Sequence, residues 1–156
     1  MTDQVLDAVR RSVTVALRPE RAFELFTDRM GEWWPHAGSH SLTEEYTTVH
    51  LEPRGGGRWY ERTEDGRETD FGRVLDWDPP GRVLLAWMLN PQWTYSEDPY
   101  SEVEVTFVPD GEGGTRVELV HRGFERYAEG GAEMRAAVGS DGGWTQLLDL
   151  YAAAAE

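Results

Sequence analysis

Two side chains in this sequence have the type and setting for acid–base chemistry, and both fall on candidate strands. His121 follows Val117 and Leu119 on one face of an alternating run that should point inward. An imidazole there offers a general base or a hydrogen-bond donor to a bound carbonyl. The plainer reading, a neutral histidine satisfied by a backbone carbonyl, is favoured because buried polar groups are usually paired within the protein. Glu61 stands two residues after Trp59 and shares its face. If Trp59 points inward, Glu61 is a partly buried carboxyl that holds its proton more tightly. If Tyr60 points inward instead, Glu61 is a solvated surface charge. Strand register decides between the two, and the sequence leaves both open.

Other polar groupings point to less chemistry. His36 and His40 lie four apart with Glu44 and Glu45 nearby, a spacing that resembles metal ligands. Pro35, Gly38 and Ser39 argue against a helix there, so the two rings need not share a face and no metal is expected. Arg73, in the middle of a strand, either reaches inward to pair with a carboxylate or, more simply, forms a surface cross-strand ion pair. Gly55, Gly56 and Gly57 lie between strands with no helix after them, so they make a turn or bulge rather than a phosphate cradle. No nucleophile elbow, dinucleotide fingerprint or paired-carboxylate signature is present, and no cofactor is expected. The chain contains no cysteine and no lysine, all fifteen basic residues being arginine. Thiolate chemistry, disulfides, cysteine-bound zinc and Schiff-base catalysis are therefore excluded.

The tryptophans are the other chemical resource. Trp59, Trp77, Trp87, Trp93 and Trp144 either fill the core or line an apolar cavity, with indole N–H groups as polar handles. Trp87, on a central strand, and Trp144, on a covering helix, are the first choices for cavity lining. Trp93 falls in a connection, where it is a lid or a surface aromatic.

The positioning elements follow from periodicity. Val9, Arg11, Val13, Val15 and Leu17 alternate with more polar residues and open the chain as a strand. Pro19 and Glu20 start a short amphipathic helix that presents Ala22, Phe23 and Phe26, and a second short helix spans residues 28–34. Strands are expected over residues 45–51, 57–63, 68–78, 82–90, 100–108 and 115–122. They are separated by turn signals at Asp65-Gly66, Pro79-Pro80-Gly81 and Pro109-Asp110-Gly111. A short helical piece covers residues 132–138. A longer helix, capped by Ser140 or Asp141, runs to about residue 155 with Trp144, Leu147, Leu148 and Tyr151 as its apolar stripe.

With 156 residues and a formal charge of -14, the chain reads as one domain, residues 1–156, that does not bind nucleic acid or an anionic membrane surface. No apolar run is long enough to span a membrane, and MTDQVLDAVRR lacks the basic start and apolar core of a signal peptide. A soluble cytoplasmic protein is the expectation.

A sheet with one apolar face needs a cover, and only the C-terminal helix is long enough to supply it. The order of elements resembles the START-like (SRPBCC) helix-grip superfamily, an α+β fold in which a curved antiparallel sheet wraps around a long C-terminal helix. Several motifs are similar to the subfamily named after the activator of heat-shock protein 90 ATPase. They are Leu17 to Phe23, Gly56 to Glu61 with its Asp65-Gly66 turn, Gly72-Arg73-Val74, Asp78-Pro79-Pro80, Trp87, His121 to Phe124, and Gly143-Trp144.

The resemblance implies a pocket between sheet and helix that takes a small apolar or aromatic molecule. It would be lined by Trp59, Trp87, Leu89, Trp93, Val105, Phe107, Leu119, His121, Trp144, Leu148 and Tyr151. It also implies an alternative, an enzyme of the polyketide cyclase, dehydratase or hydrolase type that uses Glu61 or His121 in the same pocket. A third implication is a chaperone ATPase-regulating interaction domain, although the activity that names the family belongs to a longer, two-domain protein.

Overall fold

The computed structural model describes residues 7–36 and 47–156. Seven strands form one antiparallel sheet: β1 (Val9–Val15), β2 (Thr47–Leu51), β3 (Arg58–Thr63), β4 (Glu68–Asp78), β5 (Arg82–Trp87), β6 (Ser101–Pro109) and β7 (Thr115–Arg122). Their spatial order is β1-β7-β6-β5-β4-β3-β2, a meander from β2 to β7 with β1 added beside the last strand. Helix α1 (Pro19–Phe26) and a 3-10 turn (Met30–Glu32) connect the two edge strands. Arg18 is extended and Pro19 occupies the first helical turn, where its missing N–H leaves no bond unmade. The second expected helix is only this 3-10 turn. The expected start of β2 near Glu45, like His40 and Glu44, lies outside the described residues.

Register sets which residues share the inner face. Leu85 lies opposite Val103, Val103 opposite His121, and His121 opposite Val9. One step along, Val83, Val105, Leu119 and Arg11 form the parallel row, and Trp87 faces Ser101. β4 departs from simple alternation at two bulges. Phe71 is the extra residue between the pairs Trp59–Gly72 and Tyr60–Asp70, and Leu75 between Val74–Leu85 and Asp76–Leu84. The bulges keep Val74 buried and Trp77 half-buried although they are three residues apart, and they sharpen the curl of the sheet.

The outer face carries arginine–carboxylate pairs. Arg58 bonds Asp70 and Glu68, Arg82 bonds Asp76 and Glu104, and Arg122 bonds Glu102 and Glu104. These side chains are partly exposed, so screening by water limits what each pair adds, but together they spread the sheet's acidic charge among fixed cations. Arg73 also faces outward, opposite Arg58 and Ala86, rather than reaching inward.

The C-terminal cover comes in the two expected pieces, separated after Val138, but the second is kinked where the sequence suggests an unbroken helix from residue 140 or 141. α2 (Gly131–Val138) is followed by a π-type turn (Asp141–Thr145) and then α3 (Gln146–Ala154), with a kink at Gly143 (φ -95°, ψ -127°). A side chain at Gly143 would meet the Val138 carbonyl oxygen at 2.2 Å, so the chain turns here by placing bare backbone on the end of α2. Arg11 reaches across from β1 and fastens both pieces. Its Nη2 donates to the Gly139 carbonyl (2.7 Å) and its Nε to Thr145 Oγ1 (3.0 Å), a cation placed at a helix C-terminus.

Gly72 has a related role under Trp59. A Cβ there would lie 2.5 Å from Trp59 Cε3 and 2.4 Å from the Ala86 carbonyl oxygen. Gly72→Ala should destabilise the fold by about 2–3 kcal/mol through overpacking, measured as a lower denaturation midpoint at unchanged m-value.

Candidate functional site

On β3, Trp59 is 0% and Glu61 1% exposed, whereas Tyr60 stacks on His50 and under Arg58 on the other face. The register left open by sequence is therefore the one that turns both Trp59 and Glu61 inward. Glu61 sits opposite Val49 and Thr69, beside the tryptophan, as a buried carboxyl on the concave face.

Most of the packed inner-face rings fall into two groups. One comprises Trp34, Trp59, Phe71, Trp87, Trp144 and His121. Trp34 contacts Trp59, Phe71 and Trp144 at 6.1–6.2 Å, and Trp87 contacts Trp59 at 5.7 Å, Trp144 at 5.8 Å and His121 at 5.2 Å. The other lies under α1 and joins Phe23, Phe26, Trp33, Trp77, Phe107 and Tyr151, with the Tyr151 hydroxyl donating to the Ala22 carbonyl (2.8 Å). Trp33 and Trp34, 5.8 Å apart, link the groups. Of the expected lining residues, Trp59, Trp87, His121 and Trp144 come together in the first group. Phe107 and Tyr151 belong to the second. Leu89, Val105, Leu119 and Leu148 are buried in the shared core, and Trp93 stands at its edge.

His121 is held by a chain of hydrogen bonds whose direction is forced. Trp144 Nε1–H can only donate, and it donates to His121 Nδ1 at 3.0 Å. The neutral ring then carries its proton on Nε2, which donates to Ser101 Oγ at 2.8 Å. Tyr127 donates its hydroxyl proton to the Leu89 carbonyl (2.7 Å), so it accepts from Ser101 at 3.0 Å. Every proton in the chain is assigned, and in this arrangement neither nitrogen of His121 is open to a substrate. The satisfying partners are side chains rather than the expected backbone carbonyl. Burial pushes the His121 pKa down from its ordinary 6.5 to about 3. It also pushes the Tyr127 phenol upward.

The same accounting separates the indoles. Trp33 donates to the Leu25 carbonyl (2.9 Å), Trp59 to Met30 Sδ (3.1 Å) and Trp144 to His121. Among the described residues two buried side-chain atoms lack a partner, Thr47 Oγ1 and Trp87 Nε1. No group of three metal-binding side chains occurs among the described residues. His36 bonds Thr47, and His50 bonds Thr48 and stacks on Tyr60. Sequence reading missed Trp34, Phe71, Ser101 and Tyr127. Ser101 was accessible to it, being two residues before Val103 on the same face of a strand.

Over residues 16–156 the chain matches the family described as Activator of Hsp90 ATPase homolog 1-like protein. Among curated proteins none matches. Among solved structures, the anthrahydroquino-gamma-pyrone synthase Txn09 is 39% identical, with 98% of this chain and 99% of that chain covered and a TM-score of 0.66. The self-sacrificing resistance protein CalC from Micromonospora echinospora is 35% identical, with 95% and 93% covered and a TM-score of 0.68. Protein Ms6760 from Mycobacterium smegmatis, at 18% identity, 98% coverage of both chains and a TM-score of 0.61, shares the fold alone.

The depressed pKa of His121 has a signed consequence for stability. Between pH 6.5 and about 3 the unfolded chain takes up a proton that the folded chain refuses. The contribution is intact above pH 6.5 and is lost as pH falls, at up to about 1.4 kcal/mol per pH unit. Nitrogen NMR of the folded protein at pH 5 should show His121 as the neutral Nε2–H tautomer; titration near pH 6.5 would contradict the hydrogen-bond chain.

Proposed function

We propose that this chain, which belongs to the Activator of Hsp90 ATPase homolog 1-like family, binds a small, flat, apolar molecule against the aromatic wall of its concave face. The wall itself carries this reading. Trp34, Trp59, Phe71, Trp87 and Trp144 come from the connection after α1, from three adjacent strands and from the C-terminal cover, and they meet edge-on or tilted within 6.2 Å of one another. Such surfaces favour planar ring systems, because large apolar faces are buried at little entropic expense. The similarity to Txn09, named for synthesis of an anthrahydroquino-gamma-pyrone, supports a polycyclic aromatic ligand.

A second reading, cyclase-type catalysis on the same ligand class, is favoured by the likeness to a synthase and by the position of Glu61. Its buried carboxyl shares the face of Trp59 on the sheet's inner side. In that reading Glu61 exchanges a proton with the substrate and the surrounding rings exclude water.

Titration with a flat polycyclic quinone should quench tryptophan fluorescence and saturate at one equivalent, with native mass spectrometry giving the same stoichiometry. Trp87→Leu should weaken binding at least about ten-fold, equivalent to about 1.4 kcal/mol. Under the binding reading Glu61→Gln leaves affinity close to that of the wild type. Under the catalytic one it retains binding and abolishes turnover. Failure of any polycyclic probe to saturate would remove the support for both.

A further inference from the structure

We infer that the Trp87 indole N–H is the polar anchor of this site and that Trp93 is its cover, so that the ligand enters beneath the hairpin of residues 88–96 and presents a hydrogen-bond-accepting oxygen on a planar ring. The inference rests on the binding reading above and adds to it an entrance, an anchoring atom and a ligand chemistry.

The anchor is identified by elimination. Trp87 is 6% exposed and sits at the centre of the ring cluster, touching Trp59, Phe71, Trp93, His121 and Trp144. Its polar neighbours cannot serve a ligand. The protons of Trp144, His121, Ser101 and Tyr127 are all committed along one directed chain that ends on the Leu89 carbonyl. Trp33 and Trp59 donate elsewhere. Only Trp87, among these groups, keeps an unused donor. A buried N–H without a partner is destabilising, and such groups mark places where the partner comes from outside the fold. An indole N–H has no acceptor capacity, so the ligand must bring the oxygen: a ketone, quinone or pyrone fits, and a bare hydrocarbon does not.

The cover is identified by strain and exposure. Trp93 is the one non-glycine residue with positive φ (63°) among the described residues, a conformation uncomfortable for a bulky side chain. A tight local network holds it there. Asn90 Oδ1 accepts from the Gln92 (3.0 Å) and Thr94 (3.1 Å) amides, and the Trp93 amide donates to the Asn90 carbonyl (2.8 Å). The hairpin closes through the Leu89–Tyr95 bridge and the bond from the Ser96 amide to the Met88 carbonyl (2.8 Å). Glycine or asparagine would fit this backbone without strain. What tryptophan adds is a ring that remains 42% exposed on one side and meets Trp87 edge-on at 6.4 Å and 82° on the other. The strained residue is thus the one that is exposed to solvent and also in ring contact with the indole carrying the unpaired donor.

The test has a ligand-free half and a ligand half. In the apo protein, Trp93→Ala should speed hydrogen exchange of the Trp87 indole proton at least ten-fold, with Trp93→Phe close to wild type and the Trp144 indole proton unchanged in both. Equal exchange in wild type and Trp93→Ala would overturn the cover. For the anchor, the probes are 9,10-anthraquinone and anthracene, which share a tricyclic outline but differ in the two carbonyl oxygens. Wild type should prefer the quinone at least ten-fold, with a downfield shift of the Trp87 indole proton, and Trp87→Phe should abolish the preference while still binding anthracene. Equal affinity for the two probes, or binding without any shift at Trp87, would overturn the anchor. Accelerated exchange in Trp93→Ala with neither probe bound would overturn the binding reading and the anchor together, and would leave the cover supported.

Discussion

The structure depends on one directed line of hydrogen bonds, from Trp144 through His121, Ser101 and Tyr127 to the Leu89 carbonyl. Each member belongs to a different part of the fold: the π-type turn of the cover, β7, β6, the segment after β7, and the extension of β5. Apolar packing alone would let the cover slide on the sheet, since dispersion and hydrophobic burial are non-directional. The line converts that packing into one arrangement, because reversing or shifting any member would strand a buried donor or acceptor. It also explains why a histidine can sit at 0% exposure without charge: both its nitrogens are used, and the protonated ring would have a donor pointing at another donor.

Curvature is a separate achievement, concentrated in β4. Two bulges and Gly72 let the sheet bend tightly enough that rings from β3, β4 and β5 converge instead of lying side by side. Trp59 lies directly over Gly72, so the glycine and the tryptophan form one packing unit, a large residue accommodated by the absence of a neighbour's side chain. Arg11 supplies the complementary constraint from the opposite edge, a charged side chain on the inner face that is tolerated because its donors meet a helix-end carbonyl and a hydroxyl.

Much of this was legible in sequence, for reasons that differ by element. β6 and β7 alternate cleanly, so the inward direction of Val103, Val105, Leu119 and His121 could be read directly. The chemistry around His121 could not, since its partners lie at sequence distances of 20 and 23 residues on other elements. β4 hid Phe71 because a bulge breaks the period of two on which such reading relies. The C-terminal stripe of Trp144, Leu147, Leu148 and Tyr151 was correct as a buried face. The break at Gly143 was not visible in it, because a kink made by close backbone approach leaves the spacing of apolar residues intact. Glu61 required the register of a whole strand, which is a tertiary property.

The position of β1 carries a consequence for how the molecule comes into being. Among the described residues the first strand, β1, pairs with the last, β7, Val9 opposite His121, and its Arg11 bonds a hydroxyl 134 residues away. During synthesis the meander from β2 to β7 can grow by local pairing as each strand emerges. β1, made before them, has nothing to join until β7 (Thr115–Arg122) has followed it. Closing so long a loop is slow compared with forming hairpins, and the waiting strand exposes an unpaired edge meanwhile. Its alternate residues Arg10, Ser12 and Thr14 keep that edge hydrophilic on one face, which disfavours premature association with another chain.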